Sequence, residues 1–305
     1  MDKLRALETF VAIVEQGSLT AAADALDSSL PAVVRQLAGL EGQLGVRLLN
    51  RTTRRLSLTE EGRLYLERAR RVLADVDEAD RSVSLRQAEP SGLLSVTAPV
   101  LFGHMHVAPA IARFLQRYPQ MQVNLVLLDR VVDLIQEGHD VGVRIAQLAD
   151  STLVAQPVGD VRRVVAASPE WLRRHGTPRH PRELAKVNCI LGNEGRQWRF
   201  IEGGKPLTVA VQGNFECNLG APLLEACALG LGPSRFLSYQ VAPYVRDKRL
   251  RVVLAAFEEP ARQVSIVYPS ARLLPLRTRV FIEWLKQELS ATLQPLPPAA
   301  RQPSA

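Results

Sequence analysis

The chain has 305 residues, of which 47% are hydrophobic, and its formal net charge is +7 at pH 7. This size and composition predict a soluble protein with two domains or one large one. Its three cysteines exclude a disulfide scaffold and lack zinc-finger spacing, so we expect a reducing, cytoplasmic location. Acidic residues interrupt the first apolar stretch, and no apolar run approaches the roughly 18 residues of a membrane span, so we expect neither a signal peptide nor membrane contact.

The positive charge is unevenly distributed along the chain. Residues 1–90 contain 13 basic and 14 acidic residues, so the basic surplus lies entirely in residues 91–305. The overall charge is therefore no argument that the N-terminal part binds nucleic acid. Locally, however, the segment 28–59 has five arginines and a single acidic residue, Glu41. Such a cluster of guanidinium groups is typical of a surface that binds phosphates.

Three helical patterns open the chain. Apolar residues recur at helical intervals over residues 3–15, and Ser18 is a good N-cap for a second, alanine-rich helix. After a polar turn at 27–29, a third helix has one apolar stripe at spacings of four, three and four, formed by Val33, Leu37, Leu40 and Leu44. The opposite face is small and lightly charged, which suits insertion into a DNA major groove.

Two short strands are predicted around an arginine-rich turn. Residues 45–49 and 56–58 have strand-like patterns, and residues 50–55 between them read Asn-Arg-Thr-Thr-Arg-Arg. This arrangement is typical of a wing whose arginines reach phosphate or the minor groove. A solvated turn is the alternative.

A long helix is predicted after the wing. Thr59 is an N-cap, and the two glutamates that follow it suit the positive end of the helix dipole. A heptad seam runs along this helix through Tyr65, Ala69, Val72, Val76, Ala79 and Val83. Burial against one small domain would not justify such a length, so we expect the helix to pair with its copy in a second chain. Packing on its own domain is the alternative.

Beyond a Pro-Gly break at 89–92, strands alternate with helices, which favours a mostly parallel sheet and two small α/β lobes. Strands are predicted at 93–97, 123–128, 141–145, 164–167, 189–191, 214–217, 250–254 and 264–268, with a hairpin at 198–211. Helices are predicted at 104–118, 131–137, 221–229 and 276–289, with another opening at Pro169. Four prolines in residues 294–305 predict a disordered tail.

The first sixty residues carry a gap-free signature. It consists of Phe10, Glu15, Gly17, Ser18, Ala22, Ala23, Leu26, Ser29, Pro31, Ala32, Val33, Arg35, Gln36, Leu37, Leu40, Glu41, Leu44, Gly45, residues 48–54 and residues 58–62. These residues resemble the LysR-type transcriptional regulators, and the resemblance continues more weakly at 91–99, 223–227 and 267–269.

The resemblance implies an α/β chain with an N-terminal all-α winged helix-turn-helix and a periplasmic-binding-protein-like, two-lobed effector domain. With the break described above, it gives a DNA-binding domain at 1–59, a linker and dimerisation helix at 60–88, a hinge at 89–92 and an effector domain at 93–293. Lobe one is expected at 93–161 and 269–293, and lobe two at 162–268.

The expected DNA-binding residues are Ser29, Pro31, Ala32, Val34, Arg35, Arg51, Thr53 and Arg54. Pro31, Val34 and Arg35 are expected to read base edges, while Arg51 and Arg54 hold the backbone or the minor groove. Val34 departs from the family pattern, which usually has Ser or Thr there. An apolar contact, such as one to a thymine methyl, is expected to replace a hydroxyl contact.

The turn at 97–102 is the best local candidate for effector binding. Unpaired N–H groups at a helix start attract a carboxylate, and Thr97 adds a hydroxyl. The resemblance also implies that the ends of neighbouring strands contribute to the effector site, where Arg144 would pair with an anionic effector. The expected effector-binding residues are Thr97, Ala98, Pro99, Val100, Phe102, Leu128, Asp129, Arg144 and Asn218. A plain strand-to-helix turn and ordinary surface charges are the alternatives.

No catalytic residue, metal site or cofactor is expected. His104 and His106 lack a third ligand, and Cys217 and Cys227 are typical of small buried residues rather than a redox pair. We therefore expect a transcriptional regulator and not an enzyme. Its expected partners are an inverted-repeat operator in double-stranded DNA, a small anionic effector, further copies in a homodimer or homotetramer, and RNA polymerase. The alternatives are an architectural DNA binder without an effector, and a solute-binding or enzymatic domain with a vestigial DNA-binding end.

Overall fold

The computed structural model describes residues 2–52, 55–83, 89–146, 153–270 and 274–293. The chain divides into two compact units, Met1–Leu93 with Gln120–Gln122, and Leu94–Pro119 with Val123–Ala305. Within the described ranges, every helix is too short or too polar to cross a membrane.

The first unit begins with three helices, α1 Lys3–Gln16, α2 Leu19–Ala25 and α3 Leu30–Leu44. Ser18 caps α2 as expected, because its hydroxyl accepts a hydrogen bond from the Ala21 N–H at 3.0 Å. The apolar faces of the three helices form one core, which includes Leu7, Phe10, Ile13, Ala22, Ala23, Val33, Leu37 and Leu40. Small side chains at Ala22 and Ala23 allow the helices to cross closely.

The wing is a two-stranded antiparallel ladder of β1 Leu49–Thr52 and β2 Arg55–Leu58. The prediction of a strand over 45–49 is wrong. Gly45 adopts a left-handed conformation (φ 70°) that ends α3. The Glu41 carboxylate then accepts hydrogen bonds from the N–H groups of Leu48 at 2.9 Å and Leu49 at 3.2 Å. Residues 45–48 are therefore a turn tied to α3, and the ladder begins only at Leu49.

The long helix α4 spans Glu60–Val83. Ala69 is buried in the core of its own unit, and the Tyr65 ring lies 5.9 Å from the Phe10 ring. The prediction that Ala69 faces a second chain is therefore wrong, while Tyr65 is only partly buried. Val72, further along the same predicted seam, is 43% exposed. Residues 84–88 and the side chains of Ala79 and Val83 lie outside the described part of the chain.

The remaining helices and strands follow in chain order. They are β3 Gly92–Ala98, α5 Val100–Phe102, a π-helical turn Gly103–Val107, α6 Ala108–Arg117, β4 Met121–Leu127, β5 Val141–Ile145, β6 Leu153–Val161, β7 Arg163–Ala167, α7 Pro169–His175, a 3-10 helix Pro181–Lys186, β8 Asn188–Leu191, β9 Gln197–Glu202, β10 Lys205–Ala210, β11 Gln212–Glu216, α8 Gly220–Ala228, β12 Ser234–Leu237, α9 Ser238–Arg246, β13 Arg251–Val253, a 3-10 turn Ala255–Phe257, β14 Arg262–Pro269 and α10 Leu276–Thr292.

These strands form two five-stranded sheets, one in each lobe, and a separate β9–β10 hairpin. Lobe one has the order β4-β3-β5-β14-β6, and lobe two has the order β11-β8-β12-β7-β13. The sheets are mixed rather than mostly parallel, because β14 is antiparallel to β5 and β6, and β7 is antiparallel to β12 and β13. Since β14 completes lobe one, that lobe resumes at Arg262 and not at the predicted residue 269.

The two crossings between the lobes are tied together. The chain passes from β6 to β7 through Arg162, whose carbonyl accepts a hydrogen bond from the Ser238 N–H at 2.7 Å. It returns through Glu258, whose carboxylate pairs with the Arg162 guanidinium at 2.9 Å. Lobe two is thus an insertion in lobe one, attached at one pair of adjacent strands.

Three predictions for this unit need correction. The segment 131–137 is a series of turns and not a helix, because the Asp133 carboxylate accepts hydrogen bonds from the N–H groups of Ile135 and Gln136. The helix predicted to begin at residue 104 begins at Val100. Gly92, placed in the hinge, is the first residue of β3. The predicted disordered tail at 294–305 lies outside the described residues.

Candidate functional site

The outer face of α3 is the first candidate surface. Pro31 and Arg35 are exposed opposite the buried stripe, Ala32 and Val34 are half-buried, and Ser29 is the exposed N-cap residue. Pro31 lies in the first turn, where its fixed φ suits a helix and no N–H is lost. The residues predicted to contact DNA at this helix therefore lie at its N-cap and in its first two turns, and none of them is fully buried.

Two polar side chains are important for this face: Gln36 fixes its position, and Ser29 provides a hydroxyl group. The Thr9 hydroxyl on α1 donates a hydrogen bond to the Gln36 amide oxygen and fixes α3 against α1. The Ser29 hydroxyl accepts no capping hydrogen bond from the first turn of α3, so it is available to a ligand such as phosphate.

The wing supplies the second part of this surface. The Arg51 backbone lies in the ladder opposite Leu56, next to the connection at residues 53 and 54. The Arg51 side chain, Thr53 and Arg54 lie outside the described part of the chain. Thr59 fixes the end of the wing to α4, because its hydroxyl donates to the Arg47 carbonyl at 2.7 Å and accepts from the Gly62 N–H at 2.9 Å.

A cavity of about 650 Å³ lies in the second unit, where the carboxyl ends of strands from both lobes face each other. Lobe one contributes the residues that follow β3 and β4 and the end of β5. Lobe two contributes the turns after β8 and β11, part of β12, and the start of α9. The predicted residues that line this cavity are Thr97, Ala98, Pro99, Leu128, Asp129, Arg144 and Asn218.

Two predicted residues do not line the cavity. Phe102 is fully buried, with its ring 4.9 Å from the His106 ring and 5.1 Å from the Tyr239 ring. It packs α5 of lobe one against α9 of lobe two. Val100 directs its N–H to the Asp129 carboxylate at 2.9 Å. The expectation that the start of α5 offers an unpaired N–H to a ligand is therefore wrong at Val100, because Asp129 already occupies that position.

Arg144 and Arg130 differ in their partners. The Arg144 guanidinium donates to the Val132 carbonyl at 2.5 Å, and no carboxylate among the described residues lies within ion-pair distance of it. Arg130, which also lines the cavity, is paired through both nitrogens with Glu137. The half-buried Arg144 is thus the lobe-one cation that can attract an anionic ligand.

Lobe two contributes a charged cluster that sequence reasoning missed. Arg163 at the start of β7 contacts Glu194 after β8, and Arg235 on β12 lies 3.3 Å from Glu194 and 2.7 Å from Glu259. Burial lowers the pKa of Arg163 to about 10 and also lowers the pKa of Arg235. Both guanidinium groups remain charged at neutral pH. These residues come from distant segments, so only the strand order of the sheet brings them together.

Tyr239 completes the wall at the start of α9. Burial raises the pKa of its hydroxyl, and the nearby Asp129 charge adds to this effect. The hydroxyl therefore stays protonated and accepts a hydrogen bond from the Gln240 amide at 3.2 Å. The cavity as a whole combines apolar walls with a few charged and polar groups, as is usual for small-molecule sites.

These features define a class: a winged helix-turn-helix protein with a two-lobed α/β domain that encloses a ligand-sized cavity. Residues 4–63 match the bacterial regulatory helix-turn-helix proteins of the lysR family, and residues 87–290 match the LysR substrate binding domain. The chain belongs to the LysR family of transcriptional regulators. It is a DNA-binding regulator of transcription with an effector-binding domain.

Relatives of known name agree with this assignment. The chain is 36% identical over 290 residues to the HTH-type transcriptional regulator PtxR of Pseudomonas aeruginosa, covering 94% of this chain and 93% of that protein. It is 35% identical over 292 residues to the regulator CrgA of Neisseria meningitidis, covering 94% and 97%. The solved structure of CrgA matches with a TM-score of 0.61 over 93% of this chain and 98% of that one.

Proposed function

We propose that the chain binds an inverted-repeat operator as a homodimer or homotetramer, and that a small anionic molecule in the lobe cavity changes this binding. The observation that carries the proposal is Arg144, a cavity-lining cation without a carboxylate partner among the described residues. In a cavity with apolar walls, such a group favours a ligand with an anionic end.

In this proposal α3 enters the major groove. Pro31, Val34 and Arg35 read base edges, while the Ser29 hydroxyl and Ala32 lie at the start of the same helix against the DNA. Arg51, Thr53 and Arg54 at the wing hold the backbone or the minor groove. The half-buried Val34 offers only methyl groups, which suits contact with thymine.

The proposal for assembly rests on α4. Its first turns pack on its own unit, but Leu64 is 64% exposed and Val72 is 43% exposed on a helix of 24 residues. Pairing along the exposed side of this helix would cover such residues and present two copies of α3 to two half-sites. We place the protein in the cytoplasm, where it meets DNA and RNA polymerase, and we assign it no catalytic activity or cofactor.

Fluorescence anisotropy with two labelled duplexes tests this proposal. One duplex carries the DNA upstream of the protein's own gene, and the other is a scrambled sequence of equal length. We expect preference for the first duplex and a change in affinity with at least one member of a panel of small organic acids. Equal binding to both duplexes would support the solute-binding or enzymatic alternative. Operator preference that no acid alters would support an architectural role.

A further inference from the structure

The charged cluster of lobe two is a closed ring of four side chains, Arg163, Glu194, Arg235 and Glu259. Each arginine contacts both glutamates, with Arg235 at 3.3 and 2.7 Å from them and Arg163 at 3.9 Å from Glu259. The Arg235 side chain is only 5% exposed, and that of Arg163 is 14% exposed. Two cations at this depth need compensating carboxylates, because a buried charge without a partner is strongly destabilising.

The two glutamates are held differently. Glu259 lies on the return crossing between the lobes, directly before Pro260. Glu194 lies in the turn after β8, between Gly192 and Gly195, and Gly195 has a left-handed conformation (φ 68°). Glu194 lines the cavity and its side chain is 31% exposed, against 21% for Glu259. Of the two carboxylates, Glu194 is therefore the one that can leave the ring by a movement of its turn.

Removal of Glu194 would leave a strongly positive cavity wall. Arg262 lies close enough to lower the pKa of both Arg163 and Arg235 through charge repulsion. Without Glu194, Glu259 would be the carboxylate still in contact with Arg163 and Arg235 among the described residues, and one of these two positive charges would be left uncompensated. A surplus of positive charge at the edge of a partly desolvated cavity attracts an anion strongly.

We propose that Glu194 is an internal counter-ion that a ligand carboxylate displaces from Arg163 and Arg235. This inference deepens the proposed function, since it rests on the cavity being the effector site. It assigns the effector to carboxylates with an apolar body, because the neighbouring walls include Leu128, Val132 and Phe236. In the empty state the protein's own carboxylate occupies the anion position, and in the bound state the turn with Glu194 is released.

Trp198 offers a direct reporter of this exchange. Its indole N–H donates a hydrogen bond to the Gly195 carbonyl at 3.2 Å, in the same turn as Glu194. Displacement of Glu194 should therefore change the fluorescence of Trp198, which is otherwise buried. A ligand that bound elsewhere in the cavity would leave this hydrogen bond in place.

Calorimetric titration of the full chain with cyclohexanecarboxylate tests the proposal, with cyclohexanecarboxamide as the neutral analogue. Glu194→Gln should bind the carboxylate about tenfold more tightly than the unaltered chain, because the ligand no longer competes with an internal charge. Binding of the amide should not change. Glu170→Gln, which removes a carboxylate paired with Arg174 on the surface of lobe two, should behave like the unaltered chain.

A second variant tests whether the increase in carboxylate affinity depends on the arginines. In Glu194→Gln/Arg163→Gln the increase in carboxylate affinity should disappear. The proposal is overturned if Glu194→Gln binds cyclohexanecarboxylate no more tightly than the unaltered chain, including the case that neither binds it. DNA binding is measured separately by anisotropy. Loss of operator preference there would refute the proposed function, whereas the carboxylate affinities of the Glu194 variants would still decide the present proposal.

Discussion

The Asp129 carboxylate accepts a hydrogen bond of 2.9 Å from the backbone N–H of Val100, twenty-nine residues away in the chain. This contact joins the end of β4 to the start of α5 and satisfies one of the N–H groups that a helix start leaves unpaired. Since α5 carries Phe102, the contact also supports the packing between the lobes.

We predict that Asp129→Ala lowers the free energy of unfolding of the chain by about 1 kcal/mol, the usual cost of losing a helix cap. Asp129→Asn should lose less, because an amide oxygen can still accept the hydrogen bond. Chemical denaturation followed by circular dichroism measures both changes. Asp160→Ala, at an exposed position on β6, is the control, and an equal loss in that variant would contradict the role assigned to Asp129.

Arg35 on α3 should determine sequence discrimination. We predict that Arg35→Ala reduces the preference for operator over scrambled DNA by about 1–3 kcal/mol, the usual value of a side chain that reads a base edge. Paired anisotropy titrations on the two duplexes measure the preference. Operator selectivity equal to that of the unaltered chain would show that Arg35 does not contact bases.

Arg54 in the wing should act differently. Because a phosphate contact carries no sequence information, Arg54→Ala should weaken binding to both duplexes equally. It should also reduce the slope of log affinity against log salt concentration by about one. Titrations at several salt concentrations give this slope. A loss confined to the operator duplex would instead assign Arg54 to base reading.

The three cysteines should differ in reactivity. Cys189 and Cys227 are fully buried, and burial raises the pKa of each thiol to about 12. Near pH 8 their thiolate fraction is therefore about a thousandfold lower than that of an ordinary thiol. We predict that only the half-buried Cys217 reacts with a thiol reagent in the native chain, and that all three react in denaturant. Fast reaction in Cys217→Ser would contradict this.

His106 should make the chain sensitive to acid. Its ring packs against the rings of Phe102 and Tyr239, and neither ring nitrogen has a hydrogen-bond partner among the described residues. Burial lowers the pKa of His106 below its ordinary value of 6.5. The unfolded chain therefore binds this proton first as the pH falls, and stability is lost below about pH 6.5.

Melting temperatures at about pH 8 and about pH 5.5 test this effect. The decrease in melting temperature from the higher to the lower pH should be smaller in His106→Phe, because phenylalanine keeps an aromatic ring beside Phe102 but cannot take up a proton. In the control His104→Phe, at an exposed position on the same turn, the melting temperature should decrease as much as in the unaltered chain. If His106→Phe falls equally, the titration of His106 does not contribute.

Elements with a strong internal pattern were predictable from the sequence. The stripe of α3 and the N-cap of α2 depend on neighbouring residues, and both are confirmed. The strand β6 was missed because Pro157 and Gly159 disguise its pattern, and α9 was missed because it contains Pro243. The segment 131–137 shows the opposite error, because apolar spacing predicted a helix where one Asp133 side chain closes a turn.

The cavity was predictable only in part, for a related reason. Residues next to the end of β3 could be named from the predicted strand-to-helix turn, and those next to the ends of β4 and β5 could be named from the family resemblance. Arg163, Glu194 and Arg235 could not be grouped, since their proximity depends on β12 lying between β8 and β7. That order is set by the packing of the whole lobe and cannot be inferred from the local sequence.

The position of β14 also constrains how the chain can fold during synthesis. Strands β5 and β6 of lobe one are separated by β14, which leaves the ribosome more than a hundred residues after β5. All strands of lobe two emerge in the interval, so the inserted lobe can assemble while its host sheet still lacks the strand that joins β5 to β6. In a chain fragment that ends before Arg262, lobe two should therefore resist proteolysis, whereas lobe one should be cleaved.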